Sequence, residues 1–171
     1  MVKKILVAPL DWGLGHATRC IPVIRELQRQ GAGVIIASSG DALSLLKIEF
    51  PEMMALALPA YQPVYPDKGS IVLAMMKQFS KFRKVIREEN RLIEKYVADH
   101  RIDAVISDNR FGCWSLRATS VCITHQLNPI MPQGFKWLSP WVRKFLGRHF
   151  NQFEEIWIPD QPESGLTANF N

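Results

Sequence analysis

Only three cysteines occur, Cys20, Cys113 and Cys122. An odd number without CxxC spacing excludes a disulfide scaffold and a zinc ribbon. It fits a reducing compartment, so a cytoplasmic location and no metal are expected. Long apolar runs are also missing. The longest, residues 71–76, stops at Lys77, whereas a membrane-spanning helix needs about 20 apolar residues. The basic start at Lys3 and Lys4 is followed by a short strand-like run ending at Pro9, too short for a secretory leader. There is no internal repeat and no low-complexity stretch. With 47% hydrophobic and 22% charged residues, disordered and collagen-like classes are excluded. The 171 residues suit one domain with a full core.

Acids are absent from two further stretches. Residues 77–87 carry Lys77, Lys81, Arg83, Lys84 and Arg87 with no Asp or Glu, and residues 136–148 interleave cations with Trp137, Trp141 and Phe145. The net charge of +5 admits nucleic acid, an anionic membrane or an anionic substrate. No nucleic-acid reading motif accompanies the charge, so nucleic acid is not an expected partner. Phe79, Lys81, Phe82 and Lys84, with Trp137, Trp141 and Lys144, suit an interfacial patch: aromatics at headgroup depth, cations toward anionic lipid. That places the protein in the cytoplasm with a peripheral contact at the inner membrane face. For Phe79 and Phe82 the competing reading is ordinary core with solvated lysines.

What is present alternates. Residues 4–9, 34–38, 54–58, 104–107, 120–124 and 156–158 are short, unpatterned apolar runs, as expected of strands covered on both faces. Between them lie helical spacings. Ala17, Cys20, Ile21, Ile24 and Leu27 form one stripe, stopped by Gly31. Pro22 is tolerated near a first turn, which predicts a helix starting between Thr18 and Ile21 and a loop over residues 11–17. Asp41 is placed to cap a short second helix through Leu46. Residues 59–70, rich in proline, form a loop. Residues 71–100 are one long helix or two joined ones, with Phe79, Phe82, Ile86, Ile93 and Tyr96 on one stripe. Residues 135–153 are mostly helical despite Pro140. The pattern predicts an α/β fold: a Rossmann-like, doubly wound parallel sheet of about six strands in order 3-2-1-4-5-6, with helices on both faces.

In such a sheet ligands sit at the carboxyl ends of strands one and four. Three polar turns fall there: Asp11-Trp12-Gly13-Leu14-Gly15-His16, Ser107-Asp108-Asn109-Arg110 and Thr124-His125-Gln126-Leu127-Asn128. A glycine turn opening a helix aims backbone N–H groups and partial positive charge at one point, which suits an anionic or polyhydroxylated ligand. His16 adds a proton carrier beside it. As a base it takes a proton from a hydroxyl; its bland alternative is packing at a helix start. Asp108 reads either as a carboxylate orienting His16 or as a solvated turn. His125 and Asn128 are placed to hydrogen-bond sugar hydroxyls. A dinucleotide fold is disfavoured, because Thr18 stands where the third glycine belongs and Ala37, Ser38 and Ser39 occupy the ribose-acid position. A nucleoside triphosphatase loop would need Gly-Lys-Ser/Thr, which is absent.

On these three turns, with the continuation Ala17-Thr18-Arg19, the chain resembles the amino-terminal half of GT-B glycosyltransferases. It is most similar to the group related to the lipid-linked N-acetylglucosaminyltransferase of peptidoglycan synthesis. The resemblance implies an acceptor-binding domain over residues 1–160 in an inverting, metal-independent enzyme with no cofactor beyond a nucleotide-diphosphate sugar donor. It implies that Gly13, Leu14 and Gly15 lie against the donor diphosphate, with Thr18, Asn109 and Arg110 nearby, and that His16 is the catalytic base. His125, Gln126 and Asn128 stand where the family has His-Glu-Gln-Asn, with Asn128 near the donor sugar. The partners implied are a nucleotide sugar, a lipid or glycan acceptor and an anionic membrane. Residues 161–171 read as the start of an interdomain linker. The donor-binding domain is then absent from this chain and supplied by a longer product or a separate subunit. The alternative is a non-catalytic, membrane-associated scaffold on the same fold.

Overall fold

Residue burial alternates along β1 (Lys4–Pro9), as its sequence demands of a central strand. Leu6 and Ala8 enter one core with Ile93 and Val97, while Val7 enters another with Ala17, Cys20 and Ile24. Successive side chains point to opposite faces of a sheet, so an unpatterned apolar strand must be covered twice. The computed structural model describes residues 2–125, 127 and 131–159. In chain order the elements after β1 are α1 (Leu14–Arg29), β2 (Gly33–Ser38), α2 (Gly40–Glu49), β3 (Ala55–Ala57), α3 (Ile71–Lys77), α4 (Phe79–His100), β4 (Ala104–Asp108) and β5 (Thr119–Ile123). A 3-10 turn (Lys136–Leu138), α5 (Ser139–Phe150) and β6 (Glu155–Trp157) follow.

The six strands form one parallel sheet in the order β3-β2-β1-β4-β5-β6, the expected topology. Helices α1 and α2 cover one face; α4 covers the other through Ile93 and Val97. The chain reverses its winding between β1 and β4, where Pro9 is in register with Asp108. Ligand crevices form at such switch points, because the two neighbouring connections leave on opposite faces.

Two local expectations are corrected. Helix α1 begins at Leu14, not between Thr18 and Ile21, and carries Pro22 in its interior. The packing of Ala17, Cys20 and Ile24 into the core offsets the missing N–H of Pro22. Asp41 lies in the first turn of α2, but Ser39 occupies the cap position, and the Ser39 hydroxyl donates to Asp11 Oδ2 instead (2.9 Å). The long helical stretch is two helices, α3 and α4, meeting at Gln78. Among the described residues, no helix is long and apolar enough to cross a membrane.

Candidate functional site

Gly13 precedes α1 with φ 80°, ψ 175°, a left-handed backbone that L side chains rarely adopt. A Cβ at Gly13 or Gly15 would meet nothing within 4 Å, so the ground above this turn is open. The first turn of α1 contains no acidic residue, so its free N–H groups keep their partial positive charge. Leu14 is exposed there. Thr18 faces elsewhere, its hydroxyl donating to the Gly15 carbonyl at 3.0 Å.

His16 sits one turn into α1, not in a loop. Its Nδ1 lies 3.1 Å from Oδ1 of Asp108, which is fully buried at the end of β4. Sequence analysis singled out both residues and the structure joins them. It also adds Arg19, which the sequence reading did not assign to the site. Arg19 grips Asp108 on both oxygens, Nε to Oδ2 at 3.1 Å and Nη2 to Oδ1 at 2.5 Å. Its Nη2 is 2.9 Å from His16 Nδ1 and its Nη1 is 3.4 Å from His125 Nδ1. The missed signal was positional. His16 and Arg19 are three residues apart and share a helix face only if the helix has begun before His16. Burial, then the positive charge of Arg19, holds the His125 imidazole below its ordinary pKa. Burial pushes the Cys20 thiol beside Asp108 well up, and Cys122 to about 12, so neither offers a thiolate.

A cavity of about 150 Å³ opens in front of these groups, lined by His16, His125, Asn109, Leu10, Trp12, Tyr61, Phe111 and Leu146. Asn109 reaches it with φ 58°, a conformation asparagine tolerates better than most residues. The wall is largely aromatic. Trp12 meets Tyr61 edge-on at 6.1 Å and Phe82 at 5.8 Å. Gln126 and Asn128, also expected here, lie outside the described residues.

Arg110, expected beside the donor phosphates, is 0% exposed and spends its donors inside the protein. Nε donates to the Pro9 carbonyl (3.0 Å), Nη1 to Glu89 (2.8 Å) and Nη2 to the Ser39 hydroxyl (2.6 Å). Asp11 Oδ1 lies 3.3 Å from Nη2. Its role is to tie β1, α4 and the loop after β3 together behind the site. Glu89 accepts from Tyr61 Oη (2.8 Å) and from the Gly112 N–H (3.1 Å). Burial pushes its carboxyl up to about 7, although Arg110 opposes the shift. An acid within the apolar spacing Val85, Ile86, Glu89, Ile93, Val97 was the available sign of this network.

The two basic stretches lie side by side, joined by Phe79 stacking edge-on with Phe145 at 5.1 Å. Trp137 and Trp141 are 62% and 71% exposed, and Lys84 and Lys144 point to solvent. Lys81 donates to the Gln62 carbonyl at 2.6 Å, while Phe82 packs toward Trp12 and Tyr61 at the cavity.

No family model matches the sequence, and no curated protein matches it. Solved structures do. Phytolacca americana UGT2, complexed with UDP-2fluoro-glucose and pterostilbene, superposes with TM-score 0.62 at 13% identity, over 94% of this chain and 48% of that one. LpCGTa in complex with UDP gives TM-score 0.57 at 13% identity, over 95% and 47%. Acinetobacter baumannii MurG gives 0.51 at 14% identity, over 96% and 43%. At such identities the likeness establishes the fold alone: this chain folds as one half of a GT-B glycosyltransferase. It spans less than half the length of the structures it matches.

Proposed function

We propose that this chain is the amino-terminal, acceptor-binding half of an inverting glycosyltransferase that uses a nucleotide-diphosphate sugar. The observation that carries the reading is the His16–Asp108 pair, 3.1 Å apart, with His16 on the wall of a cavity. A carboxylate on Nδ1 orients an imidazole so that Nε2 can take a proton. The acceptor hydroxyl gives its proton to Nε2 and its oxygen attacks the anomeric carbon. The bond to the diphosphate oxygen breaks, and the nucleoside diphosphate leaves with the electron pair. The N–H groups at the start of α1, around Gly13, Leu14 and Gly15, help hold the departing phosphates. Asn109 and His125 contact the acceptor. Apolar walls at Trp12, Tyr61 and Phe111 favour an acceptor with an apolar body. The UDP ligands of two structural neighbours make uridine diphosphate sugars the first donors to try.

The test is to titrate the chain with uridine diphosphate sugars and then add a donor-binding domain from a structural neighbour. Transfer should require the added domain; appreciable transfer by the chain alone would refute the half-site reading. A second reading, a membrane-associated scaffold without catalysis, draws on the exposed Trp137 and Trp141 among cations. It predicts co-sedimentation with anionic vesicles that survives His16→Ala and is lost in a Trp137→Ser, Trp141→Ser variant.

A further inference from the structure

Arg19 touches three groups at once: Asp108, His16 and His125. A guanidinium has donors only, and an ionised carboxylate is an acceptor only. These two facts assign the protons on both cavity histidines. His125 Nδ1, 3.4 Å from Arg19 Nη1, must be an acceptor, so its proton is on Nε2. His16 Nδ1 has two neighbours of opposite demand. It lies 3.1 Å from Asp108 Oδ1 and 2.9 Å from Arg19 Nη2, and those two atoms are themselves 2.5 Å apart. The splayed N–H bonds of one amino group cannot aim squarely at two corners of so tight a triangle. The charge-assisted bond to Oδ1 takes precedence, being the stronger. His16 Nδ1 is then left to donate to Oδ1, and its Nε2 carries the lone pair.

We propose that Arg19 is a positioning residue that, with Asp108, holds the two cavity histidines in opposite tautomers: His16 as Nδ1–H and His125 as Nε2–H. The cavity then presents one proton acceptor and one proton donor. A hydroxyl that releases its proton at His16 meets, at His125, an N–H able to hold a neighbouring oxygen of the same ligand. This deepens the transfer mechanism proposed above, but the proton assignment stands or falls without any transfer being observed.

Histidine side-chain 15N chemical shifts separate the tautomers directly. In the 15N-labelled chain, long-range 1H–15N correlation at a pH where the cross-peaks have stopped moving should give His16 a protonated-type Nδ1 and a bare Nε2. His125 should show the reverse. The same tautomer in both rings would overturn the proposal. Arg19→Lys keeps a cation against Asp108 but lacks the fork that spans three groups. It should leave His16 as Nδ1–H while His125 becomes a mixture. Arg19→Gln removes the cation as well. Arg19 and His16 lower the His125 titration and Asp108 raises it, so in this variant the His125 midpoint should also rise. Since Arg19→Lys retains the charge, it supplies the answer if Arg19→Gln fails to fold. A His125 signature unchanged in the folded Lys variant would remove Arg19 from the role.

Discussion

Arg110 and Glu89 form an ion pair at 2.8 Å in which both side chains are wholly buried, one hydrogen bond behind Tyr61 of the cavity wall. A buried pair stabilises little relative to an apolar one. Removing a single partner is costly, because the other charge is left without compensation. The pair therefore acts as a conformational pin: it fixes where Tyr61, Asp11 and the end of β1 stand relative to α4.

Arg110→Met should leave Glu89 and Asp11 facing each other with no cation. The expected loss is about 3–5 kcal/mol, read as a lowered urea midpoint. An unchanged midpoint would show that the network contributes nothing to the fold.

The same network predicts a pH dependence. The Glu89 carboxyl is raised from 4.5 to about 7 in the folded protein. The native state therefore holds a proton that the unfolded chain has released between those values, and stability falls as pH rises through that window. The contribution is fully present below 4.5 and gone above about 7. Glu89→Gln cannot ionise. The stability of the wild-type chain relative to this variant should decline across the window, as followed by urea unfolding at several pH values. A flat difference would contradict the assignment.

Gly112 is where β4's exit passes against α4. A Cβ there would stand 2.3 Å from the Ile86 carbonyl oxygen and 2.6 Å from Glu89 Cβ, and helix backbone cannot yield cheaply. Gly112→Ala should destabilise by about 1–3 kcal/mol, lowering Tm by about 2–4 °C per kcal/mol for a chain of this size. Gly13→Ala has open space but a φ of 80°, so its cost arises from backbone strain alone.

In an assembled two-domain enzyme, His16→Ala should lower kcat by about 10²–10⁴-fold, the usual worth of a positioned base. KM for the donor should change little. Asp108→Asn should act in the same direction while Arg19 loses its charged partner. Turnover unaffected by His16→Ala would remove the histidine from the mechanism.

Much of this architecture was legible without coordinates. Six short apolar runs separated by helical spacings admit few arrangements, since each unpatterned strand must be buried on both faces and crossovers are right-handed. The observed order, 3-2-1-4-5-6, follows from those constraints. The approach of His16 to Asp108 followed as well, because both stand at carboxyl ends of strands that the topology makes neighbours. The errors were local. Pro22 argued for a late start to α1, and tertiary packing of Ala17 and Cys20 overrode that propensity. The misplaced start in turn hid Arg19, which shares a helix face with His16 only in the longer helix.

By itself, then, the sequence determined the alternation of elements, the parallel sheet, and which three turns meet at its switch point. These depend on periodicity and chain connectivity, which are properties of neighbours along the chain. Only the tertiary structure decided which charges those turns use among themselves. Arg110 turns inward to Glu89, while Arg19 turns toward Asp108 and two histidines. Both are arginines in or beside a motif, and composition cannot tell them apart. The choice rests on burial: a guanidinium enclosed on all sides must find its acceptors in the fold, and the location of those acceptors is a fact of three-dimensional packing.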